Sequence, residues 1–176
     1  MSVLLAIDPG NIDSAFAFID RETREPLLVG KVPNAQLLGI IDGSWAGTAA
    51  WRPATTHVAV EMVASYGMPV GAEVFQTCVW IGRFTQAVRD WRGLEAWPVF
   101  RSEVKIAICH DSRAKDANIT QALVDRFALG QPNRGKGTKK EPGWFHGFAA
   151  DIWQAYAVAV TEADRLELES TSANVR

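Results

Sequence analysis

Sulfur is scarce in this chain. Its 176 residues include two cysteines, Cys78 and Cys109, at no paired spacing. That argues against a disulfide framework and against a cysteine zinc site. No apolar run is long enough to span a bilayer, and Asp8 interrupts the first run too early for a secretory signal. A soluble, cytoplasmic protein without a membrane or an organic cofactor is the expectation. There is no internal repeat and no linker, so one domain over residues 1–168 with a polar tail over 169–176 is expected. Excess positive charge is missing too: the net charge is −2, which does not mark the whole chain as a polyanion binder. A hydrophobic share of 48% with 22% charged residues describes a globular chain rather than a disordered one.

The charge is uneven, however. Between Arg101 and Lys140 stand nine basic and four acidic residues, so that stretch is +5 and the remainder −7. A basic third on an acidic body suits either a directed anion-binding face or a solvated loop.

Apolar periodicity divides the chain into elements. Val3–Ile7, Ser14–Asp20 and Leu27–Val32 read as strands joined by short turns, which predicts an antiparallel meander. Asn34 is a predicted cap for a helix through Ile41. "HVAVE", His57–Glu61, reads as a fourth strand and Leu94–Phe100 as a fifth. Between them, Ala72–Trp91 carries apolar residues at helical spacing, among them Val74, Phe75, Cys78, Val79, Ile81, Phe84 and Val88, which predicts one buried face. Helices are predicted over Ser102–Cys109, Ala114–Ala128 and Gly147–Leu168, and a mobile Gly/Pro/Lys loop over Gly130–Trp144. The order β-β-β-α-β-α-β-α-α-α is that of a ribonuclease H-like α/β fold, a mixed five-stranded sheet flanked by helices. In that fold the first and fourth strands lie side by side and parallel.

This topology gives the acids meaning. Asp8 ends the first strand in "LLAIDPGN" and Glu61 ends the fourth, so both carboxylates leave the sheet at one edge. Such a pair can hold Mg²⁺, with Mn²⁺ as a substitute, because hard cations prefer oxygen ligands. Two ions there would clamp a phosphodiester for attack by water. Asp151, in "HGFAADIWQAYAVAV", is the candidate third ligand, set among small alanines. A charged residue there needs partners. Plain turn chemistry for Asp8 and a helix-dipole role for Asp151 remain the structural alternatives.

"LLAIDPGN", "VAVE" and "HGFAADIWQAYAVA" together resemble the RuvC-type Holliday junction resolvases, and "SEVKIAICHDSRAKDANI" resembles that family's Val-Lys motif and the basic segment after it. The matching patches run from Val3 to Val160. The resemblance implies Mg²⁺-dependent nicking of branched DNA by a homodimer, with Asp8, Glu61 and Asp151 as the acids. It implies phosphate contacts for Lys105, the family's Val-Lys lysine, and for Arg113 and Lys115. Phe148 stands where family members often carry another acid or a histidine. His146 is a further catalytic candidate, as is Lys105. Five residues on a continuous helix rotate by about 140°, so His146 could reach Asp151's face only if the helix starts after it. Lys136, Lys139 and Lys140 are candidate phosphate contacts or a solubility loop. Tyr66 and Met68 are candidate wedges at a branch point, or ordinary packing.

Two other readings use the same residues. A phosphotransferase or ATPase of the ASKHA type also begins with Asp-x-Gly after a strand, but needs a second phosphate-binding half. A non-catalytic branched-DNA-binding module would tolerate Phe148.

Overall fold

Short turns join the first three apolar runs, so each pairs with its sequence neighbour. In the computed structural model, which describes residues 2–45, 54–65, 67 and 69–173, β1 (Val3–Asp8), β2 (Asp13–Asp20) and β3 (Pro26–Pro33) form the predicted antiparallel meander. α1 (Asn34–Asp42) leads away from the sheet. β4 (Thr55–Met62) returns parallel to β1, and β5 (Ala96–Phe100) adds parallel to β4 after α2 (Ala72–Arg92). The sheet order is β3-β2-β1-β4-β5. This is the mixed five-stranded sheet of a ribonuclease H-like fold. α3 (Arg101–Cys109), α4 (Asp116–Phe127) and α5 (Ile152–Ala173) complete the chain.

Alternation along the strands builds two cores. Leu4, Ala6, Ala15, Ala17 and Ala59 face α5, with Val104 of α3 and Leu123 of α4 behind them. Leu5, Ile7, Phe16 and Val58 face the other way, against Leu37 and Ile40 of α1 and Phe84 and Val88 of α2. The small residues of the first set let α5 lie close to the sheet.

Four expectations need correction. Asn34 does not cap α1: Pro33 holds the cap position and no side chain bonds the helix end. Asn34 is instead buried, and its Oδ1 accepts from Ser14 Oγ at 2.5 Å while its Nδ2 donates to the Gly10 carbonyl at 3.0 Å. The apolar face of α2 is only partly buried. Ile81, Phe84 and Val88 pack inward, but Phe75 and Val79 are 63% and 56% exposed, because they lie off the stripe that meets the sheet. α5 starts at Ile152 rather than Gly147, since Gly147 and Ala150 adopt left-handed φ values of 80° and 39° that interrupt a right-handed helix. It also continues to Ala173, past the predicted end at Leu168. The segment predicted as a mobile loop folds back on itself. Pro132–Gly135 forms a 3₁₀ turn, Gly137 bridges to Pro142, and Phe145 N–H donates to the Gly135 carbonyl at 2.9 Å.

The Asn34 network secures the turn that follows Asp8. Gly10 N–H donates to Ser14 Oγ at 3.1 Å, and a Cβ on Gly10 would stand 2.3 Å from the Asp13 carbonyl oxygen. Only glycine tolerates that approach. Asn34→Ala is expected to cost about 1–3 kcal/mol, because it leaves Ser14 Oγ and the Gly10 carbonyl without their buried partner. Urea melts of the two proteins check this; an unchanged midpoint would mean that water replaces the amide freely.

Candidate active site

One row of residues crosses all five strands on the α5 face. Lys31 of β3 pairs with Ala15 of β2, Ala15 with Asp8 of β1, and Glu61 of β4 with Val99 of β5. Asp8 and Glu61 meet in the middle, one step beyond the Ile7–Val60 pair. Both therefore point to the same face at the end of parallel strands, as the topology predicts. Lys31 and Asp8 are two strand spacings apart, about 10 Å. Ala15 fills the space between them with a methyl group only, leaving room for a side chain from α5.

Asp151 occupies that room. Its backbone carbonyl accepts from Gln154 and Ala155 N–H at 2.9 and 3.0 Å, so it is the residue from which α5 springs. Its carboxylate reaches across to Lys31 Nζ at 2.5 Å instead of capping the helix. The left-handed Ala150 just before it turns the chain into this position. The three predicted acids, from β1, β4 and the start of α5, thus converge on one sheet edge.

Electrostatics within the group are strained by like charge. Asp8 is pushed up from its ordinary 3.8 to about 8, by burial first, then by Glu61 and by Asp151. Glu61 is also raised, by burial, with Arg101 opposing. The hydrogen bond between the two carboxyls adds to the rise of Asp8 and opposes that of Glu61. Two positive groups flank them: Lys31, whose pKa is raised by its bond to Asp151, and Arg101, whose Nη1 lies 3.4 Å from Glu61 Oε2. Arg101 also donates from Nη2 to Asp116.

An oxygen-only donor set under mutual repulsion suits a hard divalent cation, which would relieve that repulsion. Asp8 and Glu61 meet the requirement as they stand. Asp151 is engaged with Lys31, and among the described residues no three His, Cys, Asp or Glu side chains are placed to hold one ion together.

The other predicted residues are distributed as follows. Phe148 is buried in an aromatic cluster, with ring centroids 4.9 Å from Trp153 and 5.1 Å from Phe145. A core position, not a ligand position, explains the apolar residue there. His146 is exposed on the preceding turn, with Nδ1 3.4 Å from the Lys136 carbonyl oxygen. Lys105 lies one turn along α3 from Arg101 and so shares its face. Arg113 is exposed beside Asp111, Lys115 precedes α4, and Lys139 and Lys140 are exposed in the folded-back segment with Lys136. Among the described residues none of these six cations pairs with Asp8, Glu61 or Asp151. Tyr66 and Met68 lie outside the described residues.

Sequence reasoning missed Lys31 and Arg101 as members of the site. Lys31 is disclosed only by register: counting across the β2–β3 hairpin places it in line with Asp8. Arg101 was visible as the first residue after an apolar strand, but its partners Glu61 and Asp116 are distant in the chain.

The repulsion has a measurable consequence. Asp8 is raised in the folded state, so the folded protein binds that proton more tightly than the unfolded chain. Stability from this source is full below the unfolded value near 3.8 and is lost as pH rises through about 8. Asp8→Asn cannot ionise, and in EDTA at pH 8 it should be more stable than wild type by on the order of a few kcal/mol. The gap should close toward pH 4. Mg²⁺ should raise the wild-type melting temperature by mass action and leave Asp8→Asn nearly unmoved. Thermal melts across pH, with and without Mg²⁺, read both effects. A variant that melts below wild type at pH 8 in EDTA would contradict the repulsion.

No protein-family model matches the chain, and no curated protein matches it in sequence. Solved structures do. A structure of Thermus thermophilus RuvC superposes with a TM-score of 0.66 at 19% identity, covering 95% of this chain and 96% of that one. A second, T. thermophilus RuvC in complex with a Holliday junction substrate, gives a TM-score of 0.66 at 16% identity, covering 96% and 97%. At this identity the likeness is one of fold, and it runs nearly end to end: the chain has the ribonuclease H-like fold in the form that RuvC has it.

Proposed function

We propose that this chain is a divalent-cation-dependent endonuclease of the RuvC type, which nicks the phosphodiester backbone of branched DNA and resolves four-way junctions. The observation that carries the reading is the adjoining Asp8–Glu61 pair at the end of two parallel strands, with Asp151 entering from α5. The fold shared with RuvC supports it, and the junction substrate held by that neighbour suggests the substrate class.

Asp8 and Glu61 would hold Mg²⁺ or Mn²⁺, joined by Asp151 once its carboxylate leaves Lys31, and the ion would supply an activated water and charge stabilisation of the leaving oxygen. The remaining work falls to the protein. In the reaction an O–P bond forms from water and one backbone P–O bond breaks, leaving a phosphate on one side of the nick and a hydroxyl on the other. Lys105, on the same face of α3 as Arg101, stabilises negative charge on the phosphate or delivers the proton to the leaving oxygen. Lys136, Lys139 and Lys140, together with Arg113 and Lys115, neutralise neighbouring phosphates without reading bases. The exposed Phe75 and Val79 on α2 offer an apolar stripe to a second copy of the chain. A homodimer would present two sites to the two symmetric strands of a junction.

Two observations favour a second reading. Phe148 belongs to the core, and the carboxylate of Asp151 is tied to Lys31; a binding module without catalysis would tolerate both. A phosphotransferase would need a second phosphate-binding half, and the described strands form one sheet.

Incubation of the protein with a synthetic four-way junction, a linear duplex and a flap, each with Mg²⁺, separates these readings. Paired nicks at symmetric positions of the junction are expected, reduced by about 10²–10³-fold or more in Asp8→Asn. Tight junction binding with no cleavage would establish the binding module instead. A strict monomer in solution and on the junction would remove the paired-nick part.

A further inference from the structure

Arg101 is the first residue of α3 and follows directly on β5, whose Val99 pairs with Glu61. Its side chain is 24% exposed and lines a cleft of about 170 Å³ together with Asp8, Pro9, Glu61 and Thr77. The guanidinium spans two carboxylates from different elements. Nη2 donates to Asp116 at the start of α4, and Nη1 stands 3.4 Å from Glu61 Oε2. These two contacts are unequal. The one to Asp116 is close, whereas 3.4 Å is long beside the roughly 2.7–2.9 Å of a firm N⁺–H···O⁻ bond. Asp116 therefore anchors the group, and Glu61 holds it loosely.

Two carboxylates do not saturate a guanidinium with five N–H donors. The planar fork matches the oxygens of a phosphate as well as those of a carboxylate. A cation bound to Glu61 would compete with Arg101 for that carboxylate. The guanidinium would then remain pinned by Asp116 at the rim of the cleft, facing the place where a phosphodiester must come to meet Asp8 and Glu61.

We infer that Arg101 is a catalytic residue of the proposed nuclease site, exchanging Glu61 for a non-bridging oxygen of the scissile phosphate and stabilising the charge that grows there. The inference rests on the nuclease reading and sets a second cation beside Lys105, one that lines the cleft with Asp8 and Glu61 and leaves Lys105 free to serve the leaving oxygen. It also gives Asp116 a purpose: a positioning residue that keeps the guanidinium at the cleft once Glu61 lets go. Electrostatic stabilisation of this kind costs no reorganisation when the charged group is already in place.

The role predicts an unusual pair of effects. In the free protein Arg101 competes with a cation for Glu61, so its removal should not weaken metal binding. Mn²⁺ binding to the full chain, followed by electron paramagnetic resonance, should be unchanged or up to about tenfold tighter in Arg101→Gln. Single-turnover cleavage of a four-way junction at saturating Mn²⁺ should fall by about 10²–10³-fold. Arg101→Lys restores charge without the fork and should recover only part of the rate. A merely structural role, in which Arg101 holds Glu61 in place for the metal, gives the opposite pattern: Arg101→Gln binds Mn²⁺ less tightly, and saturating Mn²⁺ restores cleavage. That result overturns the inference, as does wild-type cleavage by Arg101→Gln. If Arg101→Gln does not fold, Arg101→Lys decides alone, and a full wild-type rate counts against the role. A wild-type protein that cleaves no branched DNA brings down the nuclease reading and this inference together, whereas an active wild type with an indifferent Arg101 brings down the inference alone.

Discussion

Two carboxylates held side by side, Asp8 and Glu61, are the constraint to which the rest of the molecule answers. Parallel pairing of β1 with β4 forces them together, and burial makes their proximity costly. Everything around them either maintains that contact or tempers it. The Asn34–Ser14–Gly10 network fixes the turn that releases Asp8 from its strand. Lys31 and Arg101 set positive charge on opposite sides, one beside Asp151 and one beside Glu61. These two cations offset the three carboxylates only in part, so the group keeps an excess of negative charge.

The approach to Asp151 shows how packing shapes such a site. Aromatic rings from Phe145, Phe148, Trp153 and Tyr156 close over one another beneath the start of α5, with Tyr156 Oη donating to the Arg24 carbonyl at 2.9 Å. That cluster claims Phe148 for the core. Left-handed turns at Gly147 and Ala150 then delay the helix until Ile152, which swings Asp151 out over the small Ala15 and toward Lys31. His146 stays behind on the preceding turn. A continuous helix from Gly147 would have presented quite different residues to the sheet edge.

Much of this could be read from the residues alone, and the limits are instructive. Alternation from Leu4 to Ile7 and from Val58 to Val60 marks strands because every second side chain must enter one core, and the order of elements then implies the sheet. Asp8, Glu61 and Asp151 stood out because charge interrupts apolar surroundings. Asn34 misled because its residue type suits a helix cap, while its actual partners Ser14 and Gly10 lie more than a turn of chain away. Phe75 and Val79 misled because helical spacing identifies an apolar stripe without revealing how much of it the sheet can cover.

The sequence by itself determined the elements, their order and the three acids, since periodicity and the cost of burying charge act locally and leave a local trace. Tertiary structure alone decided who faces those acids. Lys31 joins them through the register of a hairpin, Arg101 through the placement of β5 beside β4, and Phe148 leaves them through the packing of an aromatic core. Each of these depends on contacts between residues far apart in the chain, and the energy of such a contact is not written at either position separately.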